Sequence, residues 1–238
     1  MDYSPLLGTS VVIEGPDFSG KTALVEGLKA HYESLGVKVR AYRQPGATPL
    51  GEAIRKVLFQ SGFDDMNTLA ERMLFAADHA EFVAKILRPN KESRSSFIIC
   101  DRYSPISNLV YGVCGDGVSL RHAQELGRIA QAAGSLKERA LCADLIIILE
   151  VLEDVAIQRA ETRAAQRGEV NRLDAKDLKY KRRIAQGYNR SRLWSIIPQE
   201  EFEALRYIDG NGTQAETLAR AIFVIDAYVA RANKSACF

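Results

Sequence analysis

The sequence predicts an α/β fold of three layers, in which a parallel sheet of about five strands carries helices on both faces. Short apolar runs typical of buried strands alternate with longer stretches in which apolar residues recur at helical spacing. A glycine-rich loop follows the first apolar run, and charged residues follow some of the later apolar runs. Because ligands bind at the carboxyl ends of the strands in such sheets, we expect the functional site at that edge.

The first strand leads directly into the most informative motif of the chain. Residues 10–14 form the predicted strand, and residues 1–9 are expected to be a short, loosely held leader. Gly15-Pro-Asp-Phe-Ser-Gly-Lys-Thr22 then matches the pattern G-x-x-x-x-G-K-[ST], and a helix-like stretch follows over residues 23–35. A strand before this pattern and a helix after it distinguish a phosphate loop from an ordinary glycine turn.

This loop predicts how the phosphates of a nucleotide are bound. Gly15 and Gly20 allow dihedral angles that a side chain would forbid, so backbone N–H groups can converge on phosphate oxygens beside a helix N-terminus. Lys21 is expected to reach the β- and γ-phosphates, and the hydroxyl of Thr22 to ligate Mg²⁺. The residues expected to contact the nucleotide phosphates, those of ATP if the resemblance described below holds, are Gly15, Pro16, Asp17, Phe18, Ser19, Gly20, Lys21 and Thr22.

The elements after the loop follow from periodicity and from proline and glycine. Further strands are predicted over residues 37–42, 96–100, 145–149 and 205–208. Pro49 can start a helix over residues 50–59, and a second helix over residues 69–87 is expected to end before Pro89. Helical segments are predicted between residues 104 and 141, and a closing helix over residues 216–231. We interpret residues 1–238 as one domain.

Composition excludes several classes of partner. Apolar residues make up 47% and charged residues 26%, and the formal net charge is +2, so no general attraction to nucleic acid or to a membrane is expected. No apolar run approaches the roughly 20 residues of a membrane span. The four cysteines are widely spaced and are expected to be free thiols in a reducing compartment. These features predict a cytoplasmic protein.

Arginines add to the expected phosphate site. Arg43, Arg55 and Arg102 lie at the ends of predicted strands or early in the helix that follows, and the planar guanidinium suits phosphate. Arg159, Arg163 and Arg167 recur at i, i+4 and i+8, on one face of a helix. We expect this face to close over polyphosphate as a lid at about residues 159–174; ion pairs with Glu161 and Glu169 are the alternative.

Blocks of sequence distributed along nearly the whole chain resemble the thymidylate kinase family. Besides the phosphate loop, they are Arg43-Gln-Pro-Gly-Ala-Thr-Pro-Leu-Gly-Glu-Ala-Ile-Arg55, Met73-Leu-Phe-Ala-Ala-Asp78, Asp101-Arg-Tyr103 with Ser107, Asn108 and Tyr111, and Arg167-Gly-Glu-Val-Asn-Arg172. The blocks appear in the order and approximate spacing of that family. The resemblance is therefore more specific than the phosphate loop alone.

The resemblance implies a phosphate-loop NTPase fold and transfer of the γ-phosphoryl group of ATP to the 5′-phosphate of thymidylate. It implies a homodimer built on the predicted helices at residues 50–59 and 69–87, whose apolar residues include Phe59, Leu69, Met73, Leu74, Phe82 and Val83. The implied catalytic residues are Asp17, Lys21, Arg102, Arg163 and Arg167. Arg172 would bind ATP, and Asp101 would share Mg²⁺ with Thr22. The implied acceptor-binding residues are Pro45, Arg55, Phe75, His79, Arg102, Ser107, Asn108 and Tyr111.

Several departures from the family pattern leave alternatives open. Gln44 stands where the family usually has Glu, one residue is inserted between Tyr103 and Ser107, and Phe18 replaces the phosphate-loop arginine of one subtype. His79 stands where the family has an arginine at the pyrimidine edge; it is either a base contact that titrates between pH 6 and 8 or a structural residue.

Two other activities remain as alternatives at this point. A kinase for a 5-modified deoxyuridylate, such as 5-hydroxymethyl-deoxyuridylate, or for another pyrimidine deoxynucleotide would use the same motifs. A nucleotide-dependent switch is more distant, because the sequence lacks Asn-Lys-x-Asp and Asp101 leads into Arg102 rather than into a glycine.

Overall fold

A computed structural model describes residues 1–133, 141–167 and 176–235. Its sheet has five parallel strands in the order β2-β3-β1-β4-β5. The strands are β1 (Ser10–Glu14), β2 (Val39–Arg43), β3 (Phe97–Asp101), β4 (Leu145–Glu150) and β5 (Leu205–Asp209). The predicted parallel sheet is confirmed, and β1 lies between β3 and β4, so the phosphate loop leaves the sheet at its centre.

Helices connect the strands. They are α1 (Lys21–Ser34), α2 (Pro49–Phe59), α3 (Thr68–Phe82), α4 (Arg88–Ser93), α5 (Ser104–Leu109), α6 (Leu120–Gln131), α7 (Glu153–Arg167), α8 (Leu178–Gly187), α9 (Arg190–Ile196) and α10 (Gln214–Ser235). Short 3-10 turns cover Ser4–Leu6 and Gln199–Ala204, and π-helical turns cover Val83–Leu87 and Val110–Gly115. Helix α2 begins at Pro49 as expected, behind Thr48, whose side chain accepts a hydrogen bond from the N–H of Gly51.

Both faces of the sheet are buried, as the prediction required. Side chains alternate along each strand, so Val11 and Ile13 of β1 point to one face and Val12 to the other. The first face packs against α1 and α10, through residues such as Leu28 and Ile225. The second face packs against α3, α5, α6, α8 and α9. Burial on two faces explains why the central strands are nearly continuous apolar runs.

The predicted loose leader is wrong. The side chain of Leu6 is completely buried in the core between the sheet, α1 and α10. The N–H of Gly8 donates to the carbonyl oxygen of Ser96 at 2.9 Å, which ties the leader to the residue before β3. An apolar residue in a polar leader gives little periodic signal, so the sequence did not show this contact.

The predicted end of the second helix at Pro89 is also wrong. Helix α3 is capped by the side chain of Asn67, and the helical path continues through the π turn Val83–Leu87 into α4. Pro89 lies in the first turn of α4, where its missing N–H costs little. The path ends instead at Arg94, which adopts a left-handed conformation with φ of 46°.

The inserted residue before Ser107 lies near a wide turn. Residues 104–141 contain α5, the π turn Val110–Gly115 and α6, and the structure does not describe residues 134–140. A π turn takes up one more residue than an α-helical turn. Tyr111 lies within this turn, and its hydroxyl reaches Asp17 at the sheet edge. Among the described residues, no helix is long and apolar enough to cross a bilayer.

A buried carboxyl group predicts how stability depends on pH. Glu201 is almost fully buried, accepts a hydrogen bond from Nε2 of Gln131 at 2.6 Å, and has its pKa raised by burial from 4.5 to about 7. The folded protein therefore keeps a proton that the unfolded chain releases, and this residue's contribution to stability falls as pH rises from 4.5 to 7.

In wild type, this contribution to the free energy of unfolding should fall by up to about 1.4 kcal/mol per pH unit within this window. We expect Glu201→Gln to lack this fall, because glutamine does not ionise. Urea unfolding of both proteins at several values between pH 5 and pH 8 measures the difference. Glu200→Gln, at the exposed neighbouring position, is the control. A constant difference between wild type and Glu201→Gln across the window would contradict the prediction.

Candidate active site

The phosphate loop leaves β1 through two glycines that the geometry requires. Gly15 has φ of 143°, and a Cβ atom there would lie 2.9 Å from the carbonyl oxygen of Leu149 on β4. Gly20 has φ of 96° and immediately precedes α1. The loop thus turns tightly against the sheet and directs the unpaired N–H groups of α1 toward it.

Lys21 is folded back onto the loop. Its Nζ atom donates to the carbonyl oxygens of Gly15 at 3.0 Å and Pro16 at 2.6 Å, and the residue is buried. Burial and the nearby charge of Arg102 lower the pKa of Lys21 to about 8. The ammonium group is therefore held at the loop by weak neutral acceptors, which a polyphosphate can replace.

The two expected metal ligands lie together. The hydroxyl of Thr22 donates to Oδ2 of Asp101 at 2.6 Å, because β1 and β3 are neighbours and end at the same edge. A hydroxyl and a carboxylate oxygen suit Mg²⁺, which binds few protein groups beside substrate phosphates and water. In the described parts of the chain, no group of three or more His, Cys, Asp or Glu residues could hold a metal.

Asp17, Arg102 and Tyr111 form one cluster beside the loop. Nη2 of Arg102 donates to Oδ1 of Asp17, and the hydroxyl of Tyr111 donates to Oδ2 of Asp17 at 2.8 Å. Burial opposes ionisation of Asp17, but the charges of Arg102 and Lys21 hold its pKa below the usual range. Nη1 of Arg102 is buried and makes no hydrogen bond within the described residues. It lies 4.0 Å from Oε2 of the buried Glu14 carboxylate, so this arm of the guanidinium fork forms a long ion pair with the end of β1.

Sequence reasoning missed Glu14, the last residue of β1. Its fully buried carboxylate accepts hydrogen bonds from the N–H of Tyr103 at 2.7 Å, the hydroxyl of Ser107 at 2.7 Å and the hydroxyl of Tyr188 at 2.8 Å. The N–H of Gly15 also donates to it, at 3.2 Å. A carboxylate at the end of an apolar strand, just before the loop, was the available signal. Ser107, expected along the base and sugar, instead points to Glu14.

Pro45 and Arg55 meet at the end of β2. Nη1 of Arg55 donates to the carbonyl oxygen of Pro45 at 3.0 Å, after a cis peptide bond between Gln44 and Pro45. Asp78, on α3, accepts from the N–H of Gly46 at 2.9 Å and so holds this turn against the helix. Arg43 forms an exposed ion pair with Glu52 at 3.2 Å. The turn places Arg55 where a second anion could bind.

Phe75 and Asn108 lie on facing helices with Arg72 between them. The guanidinium carbon of Arg72 is 4.7 Å from the centre of the Phe75 ring. Nδ2 of Asn108 donates to the carbonyl oxygen of Arg72 at 3.0 Å, and Nη1 of Arg72 lies 3.4 Å from Oδ1 of Asn108. The two residues expected at the base are thus brought together, with an arginine that sequence reasoning did not single out.

His79 does not reach an open surface. Its ring is completely buried against Phe82 and Tyr103, and Nδ1 contacts the side-chain amide of Gln44 at 3.0 Å. Burial lowers the pKa of His79 to about 3. The expected titration between pH 6 and 8 is therefore wrong, because the imidazole stays neutral there. A contact between His79 and a base would require this packing to open.

Arg159 differs from its expected role in a lid. It donates to the carbonyl oxygens of Ser19 at 3.1 Å, Gly210 at 2.9 Å and Gly212 at 3.2 Å. It therefore joins the phosphate loop to the connection between β5 and α10. Arg163 and Arg167 belong to α7, but the expectations for their side chains, and for Arg172, lie outside the described part of the structure.

The lowered pKa of Lys21 predicts a pH dependence of ATP binding. Bound phosphate favours the charged ammonium, so binding requires the proton that free Lys21 loses above pH 8. We expect ATP affinity to be constant below that pH and to weaken by up to about tenfold per unit above it. Titration calorimetry between pH 7 and pH 9.5 measures this, with Lys21→Met as the control that should show a flatter profile. An equally steep profile in that variant would assign the proton to another group.

Comparison with known proteins gives a consistent result. The family model for thymidylate kinase matches residues 13–197. The chain is 34% identical to the thymidylate kinase of Deinococcus radiodurans over 181 residues, which are 76% of this chain and 81% of that protein. It is 29% identical to the thymidylate kinase of Syntrophotalea carbinolica over 212 residues, 88% of this chain and 91% of the other.

A solved structure shows the same fold. The crystal structure of thymidylate kinase from Ehrlichia chaffeensis superposes with a TM-score of 0.66 at 21% identity, over 92% of this chain and 98% of that one. The five-stranded parallel sheet is thus that of phosphate-loop NTPases. The match to the family model spans most of the sequence, and the matched residues include the phosphate loop and Arg102. The chain therefore belongs to the thymidylate kinase family of nucleoside monophosphate kinases.

Proposed function

We propose that this protein transfers the γ-phosphoryl group of ATP to the 5′-phosphate of thymidylate, giving thymidine diphosphate. The observation that carries the proposal is the cluster of Asp17, Arg102 and Tyr111 placed directly against the phosphate loop. The phosphate loop, for the donor, and the guanidinium group of Arg102, for a second anion, lie at one edge of the sheet. Phosphoryl transfer depends mainly on positioning two anions and neutralising their charge, which this arrangement supports.

Each side chain has a role in that reaction. Loop N–H groups hold the phosphates of ATP, and Lys21 leaves its two carbonyl partners to bind the β- and γ-phosphates. Arg102 and Arg55 bind the acceptor phosphate, and Asp17 positions Arg102 between the two substrates. Thr22 and Asp101 would hold Mg²⁺, which would supply neutralisation of phosphate charge.

Lid arginines and the residues around the base complete the site. Phe18 brings no charge to the loop, so Arg163 and Arg167 act on the transferred group from a lid, and Arg172 binds ATP. Phe75 stacks on the pyrimidine, and Asn108 and Tyr111 lie along the base and sugar. The whole chain works as one kinase domain in the cytoplasm, on small nucleotides.

Coupled turnover tests the proposal. We expect ADP release to rise at least about 100-fold when thymidylate is added, and to fall at least about 100-fold in Lys21→Ala, because the charge acts in the transition state. Deoxyuridylate, 5-hydroxymethyl-deoxyuridylate and deoxycytidylate are the comparison acceptors, and circular dichroism checks that Lys21→Ala is folded. ADP release that no monophosphate stimulates would favour a nucleotide-dependent switch.

We also propose a homodimer through α2 and α3. Leu50, Val57, Leu69 and Met73 are exposed on these helices. Phe82 and Val83, which the sequence also suggested for this surface, are wrong, because both are completely buried against the sheet. The exposed apolar residues that remain lie on the two helices that also carry Arg55 and Phe75.

Sedimentation at micromolar concentration tests this assembly. We expect wild type to sediment as a dimer and Leu69→Glu to shift it to a monomer, because a charge would be buried in the interface. Phe223→Glu, at an exposed position of α10 on the other side of the sheet, should leave the dimer intact. A monomeric wild type would overturn the proposal.

A further inference from the structure

Arg72 is the largest side chain buried to this degree in the described structure, with 2% of the residue exposed. A buried guanidinium is costly unless it is paired. Nη2 of Arg72 donates to Oε1 of Glu71 and lies 3.6 Å from Oδ2 of Asp116. Nη1 has only the long 3.4 Å contact with Asn108, and Nε makes no hydrogen bond within the described residues. Glu71 and Asp116 thus pair with Nη2, while Nη1 and Nε keep N–H groups that no close acceptor among the described residues takes up.

The spare donors lie at the proposed base site. Phe75 is one helical turn after Arg72, and its ring lies against the guanidinium at 4.7 Å. Asn108 bonds the backbone carbonyl of Arg72 at 3.0 Å. These are the two residues proposed to hold the pyrimidine. A base stacked on Phe75 and contacting Asn108 therefore meets Arg72.

A pyrimidine dione and a charged fork are complementary. Thymine and uracil present two carbonyl acceptors on the ring edge, whereas cytosine replaces one with an amino donor. His79 supplies no charge to this edge, because its ring is buried and neutral. Arg72 lies seven residues before His79, so both are on one face of α3. The chain therefore still has a cation on this face, two turns away.

We propose that Arg72 is a specificity-determining residue, whose free donors bind a carbonyl oxygen of the pyrimidine stacked on Phe75. This inference rests on the proposed function. Glu71 and Asp116 act as positioning residues, because they fix the guanidinium before substrate arrives. Cytosine is rejected where its amino group would face the guanidinium and leave donors unpaired on both sides.

Arg72→Lys is the first test, because it keeps the charge that Glu71 and Asp116 require but loses the fork. We expect kcat/KM for thymidylate to fall at least about tenfold, mainly through KM, and the preference over deoxycytidylate to fall by a similar factor. The KM for ATP should stay within about twofold. Arg88→Lys is the matched control, because Arg88 is a partly buried arginine that bonds the carbonyl oxygen of Ala133 away from Phe75.

A second variant keeps the test decisive if Arg72→Lys is unstable. Arg72→Gln combined with Glu71→Gln removes one charge of each sign and retains hydrogen-bonding groups. It should show the same loss of preference between thymidylate and deoxycytidylate. Equal losses for both acceptors, or an unchanged ratio, would show that Arg72 is structural and overturn this inference alone. Wild type without activity on any pyrimidine monophosphate would overturn the proposed function and this inference together.

Discussion

The buried carboxylate of Glu14 is the interaction on which the site depends. Removing such a group from water costs several kcal/mol unless hydrogen bonds replace its hydration. Here four donors do so, from Gly15, Tyr103, Ser107 and Tyr188. They come from the phosphate loop, the turn after β3, α5 and the end of α8. The carboxylate of Glu14 therefore fixes the phosphate loop relative to the turn after β3, α5 and the end of α8.

A second constraint is that each cation of the site already has a hydrogen-bond partner within the protein. Lys21 bonds to carbonyl oxygens, Arg102 to Asp17, Arg55 to Pro45 and Arg72 to Glu71. Each contact keeps the cation in position, yet most retain an unused donor or a weak neutral partner. Cations held in fixed positions before a ligand arrives need little reorganisation at the moment of reaction.

Sequence reasoning located the sheet, the phosphate loop and the strand ends well, because each has a local signature in periodicity or glycine spacing. It missed contacts set by tertiary packing. Leu6, Ser107 and Arg159 each have partners far along the chain, and nothing near them in sequence predicts those partners. His79 shows the limit of transferring a role by position, since burial decides the chemistry of an imidazole. Arg72 was passed over because its neighbours in sequence gave it no motif.

The hydrogen bonds of Arg159 couple the position of α7 to that of the phosphate loop. One guanidinium group holds carbonyl oxygens from the phosphate loop and from the connection that precedes the last helix. Because that arginine is carried by α7, tilting the helix would stretch three hydrogen bonds at once. A ligand that moves the phosphate loop would therefore move α7, and a movement of α7 would displace the loop. The coupling runs through one side chain, which links two distant parts of the sequence.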